Sequence, residues 1–220
     1  MTPRSKNVEP LDRERIVEAA MTIIDEDGLE ALSMRRLGTA LGVNPMAAYY
    51  HVPNKAALYD FVLEAIMAGV ELSAINPSAP LADRFKQAAR AYRAAILAHP
   101  RAIPVLASRS LRTAAALRPV EPILGILFEA GLTATETVTA VDCVAQYILG
   151  VCVGYYHHTV DEETSVQREF DELDPAEFPN VNRMVAEGRY AGAEAEFEFG
   201  LDAFVRGLLS RPRISLETTP

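Results

Sequence analysis

Residues 33–55 read SMRRLGTALGVNPMAAYYHVPNK, and this stretch decides the fold of the chain. Ser33 and Asn44 each precede a helical pattern, and both residue types cap helices through a side-chain oxygen. Gly42 lies between the two segments and supplies the unusual backbone angle that a sharp turn needs. The stretch predicts a helix-turn-helix, with residues 45–51 as the helix that is offered to the DNA major groove.

The charge of this stretch favours a nucleic-acid partner. It contains Arg35, Arg36 and Lys55 and no acidic residue, whereas the 220-residue chain has a formal net charge of −9. Contacts from Lys and Arg to phosphate supply much of the affinity of proteins for DNA. The local positive charge therefore indicates the DNA contact, and the acidic remainder of the chain limits non-specific association.

Several short runs resemble the DNA-binding domain of the TetR (tetracycline repressor) family. They are LEALSMRRL (29–37), LGV (41–43), YYHV (49–52) and NKAAL (54–58). The resemblance is close over residues 10–65, and FEFGLDAFVRGL (197–208) is similar to the last helix of the tetracycline-repressor-like branch. It implies an all-α protein with an N-terminal three-helix helix-turn-helix DNA-binding domain and a larger helical ligand-binding and dimerisation domain.

The resemblance supports a set of DNA contacts in this chain: Ser33, Arg35, Asn44, Pro45, Met46, Ala47, Tyr49, Tyr50, His51 and Lys55. Arg35 is expected to bind a guanine edge, with a plain phosphate contact as the alternative. Met46 and Ala47 have no side-chain donor and are limited to apolar contacts with thymine methyl groups. Relatives carry Gln or Thr at these places, so the operator sequence does not follow from the resemblance. Two alternatives stay open: Tyr50 as a packed core ring and Lys55 as a solvated lysine.

The chain divides at the run NPSAP (76–80), which breaks helical patterns. We predict a flexible arm at 1–10, a DNA-binding domain with its connecting helix at 11–72, a helical body at 81–210 and a tail at 211–220. The arm is read as a solvated tail, with a minor-groove contact by Arg4 and Lys6 as the alternative. Helices are expected at 13–26, 55–71, 81–98, 104–111, 119–130, 133–157, 180–187 and 193–209, and residues 161–177 read as an acidic, solvated connection.

Two body helices carry more apolar surface than one core needs. Gly150 and Gly154 lie one turn apart and allow another helix to approach closely. We predict a homodimer whose interface residues are Val141, Ile148, Val151, Phe197, Leu201, Phe204 and Leu208, in the four-helix bundle that the resemblance implies. Two heads then face successive major grooves of a palindromic operator. The alternative is that both stripes belong to the internal core.

The resemblance also implies a small-molecule pocket in each body, whose occupation shifts the helix that follows the recognition helix. The candidate effector contacts are Phe85, Tyr92, His99, Arg109 and Tyr147. His99 has the alternative role of only ending its helix. Tetracycline itself is not expected, because the run IPVL (103–106) lacks the metal-binding histidine that tetracycline repressors place in this region.

No catalytic group, cofactor or metal is predicted. The sequence shows no Ser/His/Asp arrangement with a nucleophile elbow, no phosphate-binding Gly loop and no paired-carboxylate site. His157 and Asp161 share a helical face and form an alternative metal site, although the adjacent His158 points elsewhere. Cys143 and Cys152 are nine residues apart on opposite helix faces, which favours apolar packing over a redox role.

Function is therefore predicted as a ligand-responsive transcriptional repressor in the cytoplasm, with no membrane partner. The N-terminus has no apolar signal core, and no uninterrupted apolar run reaches the roughly 18 to 20 residues of a membrane span. Three alternatives stay open: an activator, a sensor whose DNA-binding head is vestigial, and an enzyme with an unfamiliar site.

Overall fold

The computed structural model describes residues 11–157, 170, 173–188 and 192–210. Every regular element in these residues is a helix, which confirms the predicted all-α fold class. The predicted arm, the predicted tail and most of the acidic connection lie outside the described residues.

The helices begin and end close to the predicted positions. They are α1 Arg13–Asp27, α2 Met34–Leu41, α3 Pro45–Tyr49, α4 Lys55–Ala68, α5 Leu81–Leu97, α6 Ile103–Ser108, α7 Ala114–Leu117, α8 Glu121–Glu129, α9 Ala134–His157, α10 Pro179–Glu187 and α11 Ala193–Leu209. Short 3-10 turns occupy Leu29–Ala31 and Pro100–Ala102. Helix α4 ends three residues before the predicted end, and α7 was not predicted.

Side-chain caps explain several helix starts. The Asp12 carboxylate accepts a hydrogen bond from the Arg15 backbone N–H at 2.9 Å and opens α1. At α9, Thr133 Oγ1 accepts from the Glu136 N–H at 3.3 Å, while Glu136 Oε2 accepts from the Thr133 N–H at 2.8 Å. This reciprocal pair is the capping box that the sequence predicts.

The described residues form two compact units: residues 11–74 with 94–122, and residues 75–93 with the described residues between 123 and 210. The predicted body includes residues 94–122, whereas in the structure these residues group with the first unit, which contains the helix-turn-helix. The reason is a set of bonds to head helices that no local pattern encodes. His99 Nδ1 lies 2.9 Å from Asp25 Oδ2 of α1, and Arg109 Nε donates to Asp60 Oδ1 of α4 at 2.8 Å.

The first unit has a core in which many side chains have no exposed surface. These include Ile16, Ala20, Ile24, Leu32, Leu37, Ala48, Val52, Leu58 and Val62. Each side chain lies on the apolar face of its own helix or turn, and burial of a large aliphatic side chain contributes about 1.5–3 kcal/mol. Helix α2 packs on α1 and on α3, and α1 packs on α4, so the helix-turn-helix is held in the core of this unit.

The second unit is organised around α5, α9 and α11. Basic residues of α5 pair with acidic residues of α11: Lys86 with Asp202, Arg90 with Glu198 and Arg93 with Glu194. Beneath these ion pairs the Phe197 ring is fully buried. Arg93 lies over one side of that ring at 4.5 Å, and the Tyr147 ring stacks on it with centroids 6.1 Å apart.

The ion pairs shift the proton affinities of their partners. The hydrogen bond from Arg90 lowers the pKa of Glu198 and in turn raises the pKa of Arg90. The hydrogen bond from Lys86 lowers the pKa of Asp202. Both carboxylates are therefore held in their charged form in the folded chain.

Helix α9 is long and apolar enough to cross a membrane by length and composition alone. Residues 134–154 have a mean hydropathy of 1.5, and 28% of the window is buried. The core helix of a soluble protein passes the same test. Most of α9 in this window is therefore open to a partner or a solvent that the single chain does not supply.

Candidate nucleic-acid interface

Helix α2 begins and ends as its sequence dictates. Ser33 Oγ accepts from the Arg36 backbone N–H at 3.2 Å, which caps the helix. Gly42 adopts φ 66°, ψ 27°, the left-handed conformation in which a side chain is strained. The carbonyl of Gly38 accepts from the Val43 N–H at 2.9 Å and closes the turn.

Helix α3 starts two residues after this turn. Asn44 Oδ1 accepts from the Met46 N–H at 2.9 Å, and Pro45 occupies the first helical position, where its missing N–H costs nothing. Ala48 and Val52 are fully buried and hold the inner side of α3 against the head. The outer side is therefore presented to solvent at a fixed angle.

Large side chains project from this outer side. Met46 is 64% exposed, Tyr49 41% and Tyr50 90%. Burial of rings and thioethers is favourable, so three such groups in water on one short helix indicate a surface that binds a partner. The exposure of Tyr50 contradicts the alternative that its ring is packed in the core.

Asn44, a predicted DNA contact, uses its side-chain oxygen to cap α3. A bidentate contact to adenine uses both the oxygen and the nitrogen of the side-chain amide. Here the oxygen already caps α3 through the Met46 N–H. The residues left on α3 for direct base contact are Met46 and Ala47, which present only apolar surface.

Cations flank α3 on two sides. Arg35 is exposed and has no ion-pair partner among the residues that the structure describes, whereas the neighbouring Arg36 pairs with Asp27. Arg35 also lies at a cleft of about 870 Å³ between α1 and α2. On the other side, Lys55 opens α4 with its Nζ 5.4 Å from the Tyr59 ring centroid. Arg35 and Lys55 therefore give the helix-turn-helix two basic side chains, at α2 and at the start of α4.

The effector candidates of the second unit have different environments. Phe85 is 3% exposed and stacks on Phe204, so it belongs to the core. The Tyr147 hydroxyl donates a hydrogen bond to the Phe197 carbonyl at 2.8 Å. This hydroxyl therefore holds α9 to α11 and is already engaged within the chain. Tyr92 is half-buried, and burial raises the pKa of its hydroxyl.

The other two effector candidates lie in the first unit. His99 contacts Asp25, and Arg109 contacts Asp60. Arg101 adds a third link, because its guanidinium donates to the carbonyl oxygens of Asp25, at 3.2 Å, and Glu26 at the end of α1. A cation at a helix C-terminus is favourable, since it compensates unpaired carbonyls. His99 and Arg109 are therefore engaged with the head, and the structure does not place them in one unit with Tyr92.

Three residues of the predicted dimer interface are buried inside the single chain. Ile148 is 1% exposed, and Phe197 and Leu201 have no exposed surface, so these three side chains have nothing to offer to a second chain. The remaining predicted positions, Val141, Val151, Phe204 and Leu208, are partly exposed. Helix α11 is apolar on more than one side, so the sequence did not distinguish its inner stripe from its outer one.

The outer stripes are formed by other residues. On α11, Phe199 is 76% exposed, and Ala203 and Gly207 follow at intervals of four on the same face. On α9, Val138 is 58% and Val153 38% exposed. Phe199 lies two residues from both Phe197 and Leu201, so on a helix it points to nearly the opposite side. This spacing was the feature of the sequence that could have identified Phe199 as an outer residue.

The metal and redox alternatives gain no support. In the described part of the chain, no group of three or more His, Cys, Asp or Glu side chains is placed to hold a metal ion. His158 and Asp161 lie outside the described residues. Cys152 is buried, as predicted, and this burial raises the pKa of its thiol to about 11, which disfavours the reactive thiolate. Cys143 is exposed, so the predicted apolar packing is wrong for this residue.

Two family models match this chain, one in its N-terminal part and one over the rest. The family described as bacterial regulatory proteins, tetR family, matches residues 16–62, and the tetracyclin repressor-like C-terminal domain matches residues 76–211. The HTH-type transcriptional repressor DrrR1 of Streptomyces coeruleorubidus is 31% identical over 195 residues, covering 87% of this chain and 72% of DrrR1. Tetracycline repressor protein class C of Escherichia coli is 29% identical over 211 residues, covering 90% of each chain.

A solved structure is also similar. The protein ActR of Streptomyces coelicolor, in its apo form, has a TM-score of 0.84 against this chain at 26% identity, and the match covers 92% of this chain and 96% of ActR. ActR has also been solved in complex with actinorhodin, and that structure matches with a TM-score of 0.84 at 25% identity.

Proposed function

We propose that this chain, which belongs to the tetR family of bacterial regulatory proteins, represses transcription as a homodimer that leaves a palindromic operator when a small molecule binds. The observation that carries the proposal is the outer face of α3, where Met46, Tyr49 and Tyr50 are exposed. The exposed Arg35 on α2 adds a basic group that has no ion-pair partner among the described residues. A repressor occupies its operator in the cytoplasm, where bacterial DNA is transcribed.

Each head contributes two kinds of DNA contact. Arg35, Tyr49, Tyr50, His51 and Lys55 supply donors and charge that fix the register on phosphate or, for Arg35, read guanine. Met46 and Ala47 read thymine methyl groups by apolar contact. Such a head distinguishes bases with few hydrogen bonds, so each half-site is short and specificity depends on two half-sites being bound together.

A second copy of the chain would cover the open stripes of α9 and α11. Phe199, Ala203 and Gly207 form an apolar face with little side-chain bulk around one large ring. At Gly150 and Gly207 a side chain would meet no atom within 4 Å, so a partner helix has room to approach. Burial in a dimer also accounts for the apolar composition of α9 without a membrane.

The small-molecule response rests on similarity and on one residue of the second unit. ActR binds actinorhodin in its solved complex, and Tyr92 is the predicted effector contact that remains half-buried with its hydroxyl desolvated. A ligand that binds the released state more tightly shifts the population away from DNA. We propose Tyr92 as an effector contact on α5.

The response is tested on a fluorescent duplex that the wild-type protein has enriched from random DNA. Small molecules, beginning with actinorhodin, are titrated into the complex, and anisotropy reports release. Release by one molecule, with a smaller response in Tyr92→Phe at unchanged DNA affinity, is the expected result. Release that is identical in wild type and Tyr92→Phe would remove Tyr92 from the effector site, and binding that no molecule weakens in a broad panel would remove the effector itself.

A further inference from the structure

One buried hydroxyl of the second unit has no hydrogen-bond partner. Thr137 lies on α9 and is 2% exposed, and its Oγ1 atom meets no donor or acceptor among the residues that the structure describes. A hydroxyl that is buried without a partner costs free energy, because it has lost its hydrogen bonds to water. Such a group in a folded chain therefore requires an explanation.

The helix itself offers Thr137 a bond that it does not make. A threonine inside a helix can donate to the carbonyl oxygen four residues earlier. Thr22, Thr39 and Thr139 make this bond at 2.9, 3.0 and 2.8 Å. Thr139 belongs to the same helix as Thr137 but lies on its exposed side. The hydroxyl that has no water to bind is thus also the one that is left unbonded by its helix.

The face of α9 that carries Thr137 is otherwise apolar. Its other buried side chains follow at intervals of three or four residues and are Ala140, Val144, Ile148 and Cys152. A neutral hydroxyl among such side chains cannot offset the desolvation of an ionic ligand. A molecule that binds against Thr137 is therefore expected to be neutral and largely apolar, with one polar atom for the hydroxyl.

A second unpartnered atom lies at the same end of the unit. Arg84, in the first turn of α5, donates from Nη1 to Glu129 Oε2 at 2.7 Å, whereas its buried Nε has no partner among the described residues. Glu129 is the last residue of α8, and Gly131, whose N–H donates to the Phe128 carbonyl at 2.9 Å, turns the chain towards α9. Thr137 completes the first turn of α9. Both unpartnered atoms can donate a hydrogen bond, so this end of the unit lacks an acceptor.

We infer that Thr137 determines the specificity of the effector site, and that its hydroxyl donates a hydrogen bond to the carbonyl oxygen of a neutral, largely apolar small molecule. The inference rests on the proposed release of this chain from DNA by a small molecule.

This contact is separate from the one proposed for Tyr92. Burial, and then the charge of Cys152, raise the pKa of Tyr92, so Tyr92 lies towards the Cys152 end of α9. Cys152 is about 22 Å of helix away from Thr137. A compact molecule can therefore contact Thr137 without reaching Tyr92.

The unliganded protein provides the first test. Thr137→Val keeps the shape of the side chain and removes the unpartnered hydroxyl, so it is expected to raise the unfolding temperature of the full-length protein. Thr139→Val is the matched control, because it removes an exposed hydroxyl that is bonded within the same helix, and no rise is expected for it. An unchanged or lower unfolding temperature for Thr137→Val would show that a water molecule or the backbone satisfies the hydroxyl, and would overturn the inference.

Acetophenone and ethylbenzene test the acceptor directly. Both consist of a phenyl ring with a two-carbon chain, but only acetophenone has a carbonyl oxygen. Binding of each probe to the full-length protein is measured by ligand-observed NMR. The wild type and Thr139→Val are expected to bind acetophenone about three- to tenfold more tightly than ethylbenzene, the effect of one net hydrogen bond. Thr137→Val should lose this preference, and Thr137→Ser, which keeps a hydroxyl, should retain it.

The outcomes separate the inference from the proposed function. A wild type that does not prefer acetophenone, including one that binds neither probe, overturns the inference, and so does a preference that survives in Thr137→Val. If a small molecule releases the wild type and Thr137→Val from the operator equally, the inference alone fails. If the wild type enriches no operator, the proposed function fails, whatever the two probes show.

Discussion

The Nε atom of Arg109 donates a hydrogen bond to Oδ1 of Asp60 at 2.8 Å. Asp60 lies in α4, the helix that follows the recognition helix, and Arg109 directly follows α6. The second guanidinium nitrogen, Nη2, also donates to the same carboxylate oxygen. A segment of the predicted body is thus bonded to α4.

The Arg109–Asp60 pair is expected to contribute modestly to stability. The two side chains are 27% and 41% exposed, so water screens much of the attraction. Arg109→Ala should lower the free energy of unfolding by less than about 1 kcal/mol. A double-mutant cycle with Asp60→Asn, measured by denaturant unfolding, should return a non-zero coupling energy. Strictly additive effects would show that the pair does not link the two segments.

Gly200→Ala is expected to destabilise the second unit. A Cβ atom at position 200 would overlap the Tyr147 hydroxyl and lie 2.6 Å from its Cζ atom, so α11 and the stacked ring must separate. Overpacking of this kind costs about 1–3 kcal/mol. Thermal unfolding checks it, with Gly125→Ala as the control that meets no neighbour. Equal unfolding temperatures for the two variants would contradict the close approach of Tyr147 to α11.

Stability should fall in acid partly through Glu198. Its pKa is lowered from the ordinary value of 4.5, first by the hydrogen bond from Arg90. A carboxylate with a depressed folded pKa stabilises the fold above its unfolded pKa and loses that contribution as pH falls through the folded value. Glu198→Gln should therefore unfold at a lower temperature than the wild type near neutral pH. The difference in unfolding temperature between the two proteins should become smaller below about pH 4. An exposed Glu177→Gln variant is the control. If the difference in unfolding temperature between Glu198→Gln and the wild type stayed constant with pH, the Arg90–Glu198 pair would not contribute to the loss of stability in acid.

How far the sequence predicted the fold depends on the range of the interactions. The caps at Ser33, Asn44 and Thr133 are local, and each was placed correctly because donor and acceptor lie within three residues. The bond from Tyr147 to the Phe197 carbonyl joins residues 50 apart and left no local pattern. The inner and outer stripes of α11 were interchanged in part, because apolar residues occupy both faces.

The exposed side of α3 was easier to predict than the surroundings of the effector candidates for the same reason. Exposure of Met46, Tyr49 and Tyr50 follows from a five-residue helix whose inner side is fixed by Ala48. His99 and Arg109 were predicted as effector contacts because their side chains are polar. Their partners, Asp25 and Asp60, could be identified only from the folded chain.

Lys55→Ala is expected to weaken binding to all DNA sequences alike. Loss of one phosphate contact lowers the slope of log affinity against log salt concentration by about one. Binding is measured by anisotropy over a range of salt concentrations, with Arg183→Ala of α10 as a control that removes the same charge outside the helix-turn-helix. If Lys55 were only solvated, its variant would keep the wild-type slope.

Phe199→Asp is expected to convert the dimer into a monomer. A buried carboxylate without a partner opposes association strongly, and Phe199 is the largest side chain on the open face of α11. Light scattering gives the mass directly, with Leu117→Asp as a control at an exposed apolar position of α7. If Phe199→Asp remained a dimer, the interface would lie elsewhere on the chain. If the wild type were a monomer, the proposed dimer would be wrong.

The central claim is that two copies of this chain bind DNA together, and that the helix-turn-helix of each copy recognises one half-site. It is tested most directly by selecting binding sites from random duplex DNA with the wild type and an Arg35→Ala, Tyr49→Ala double variant in parallel. The account predicts that the wild type, freed of bound ligand by refolding, enriches an inverted repeat and that the double variant enriches none. The same inverted repeat enriched by both proteins, or no enrichment by the refolded wild type, would contradict it.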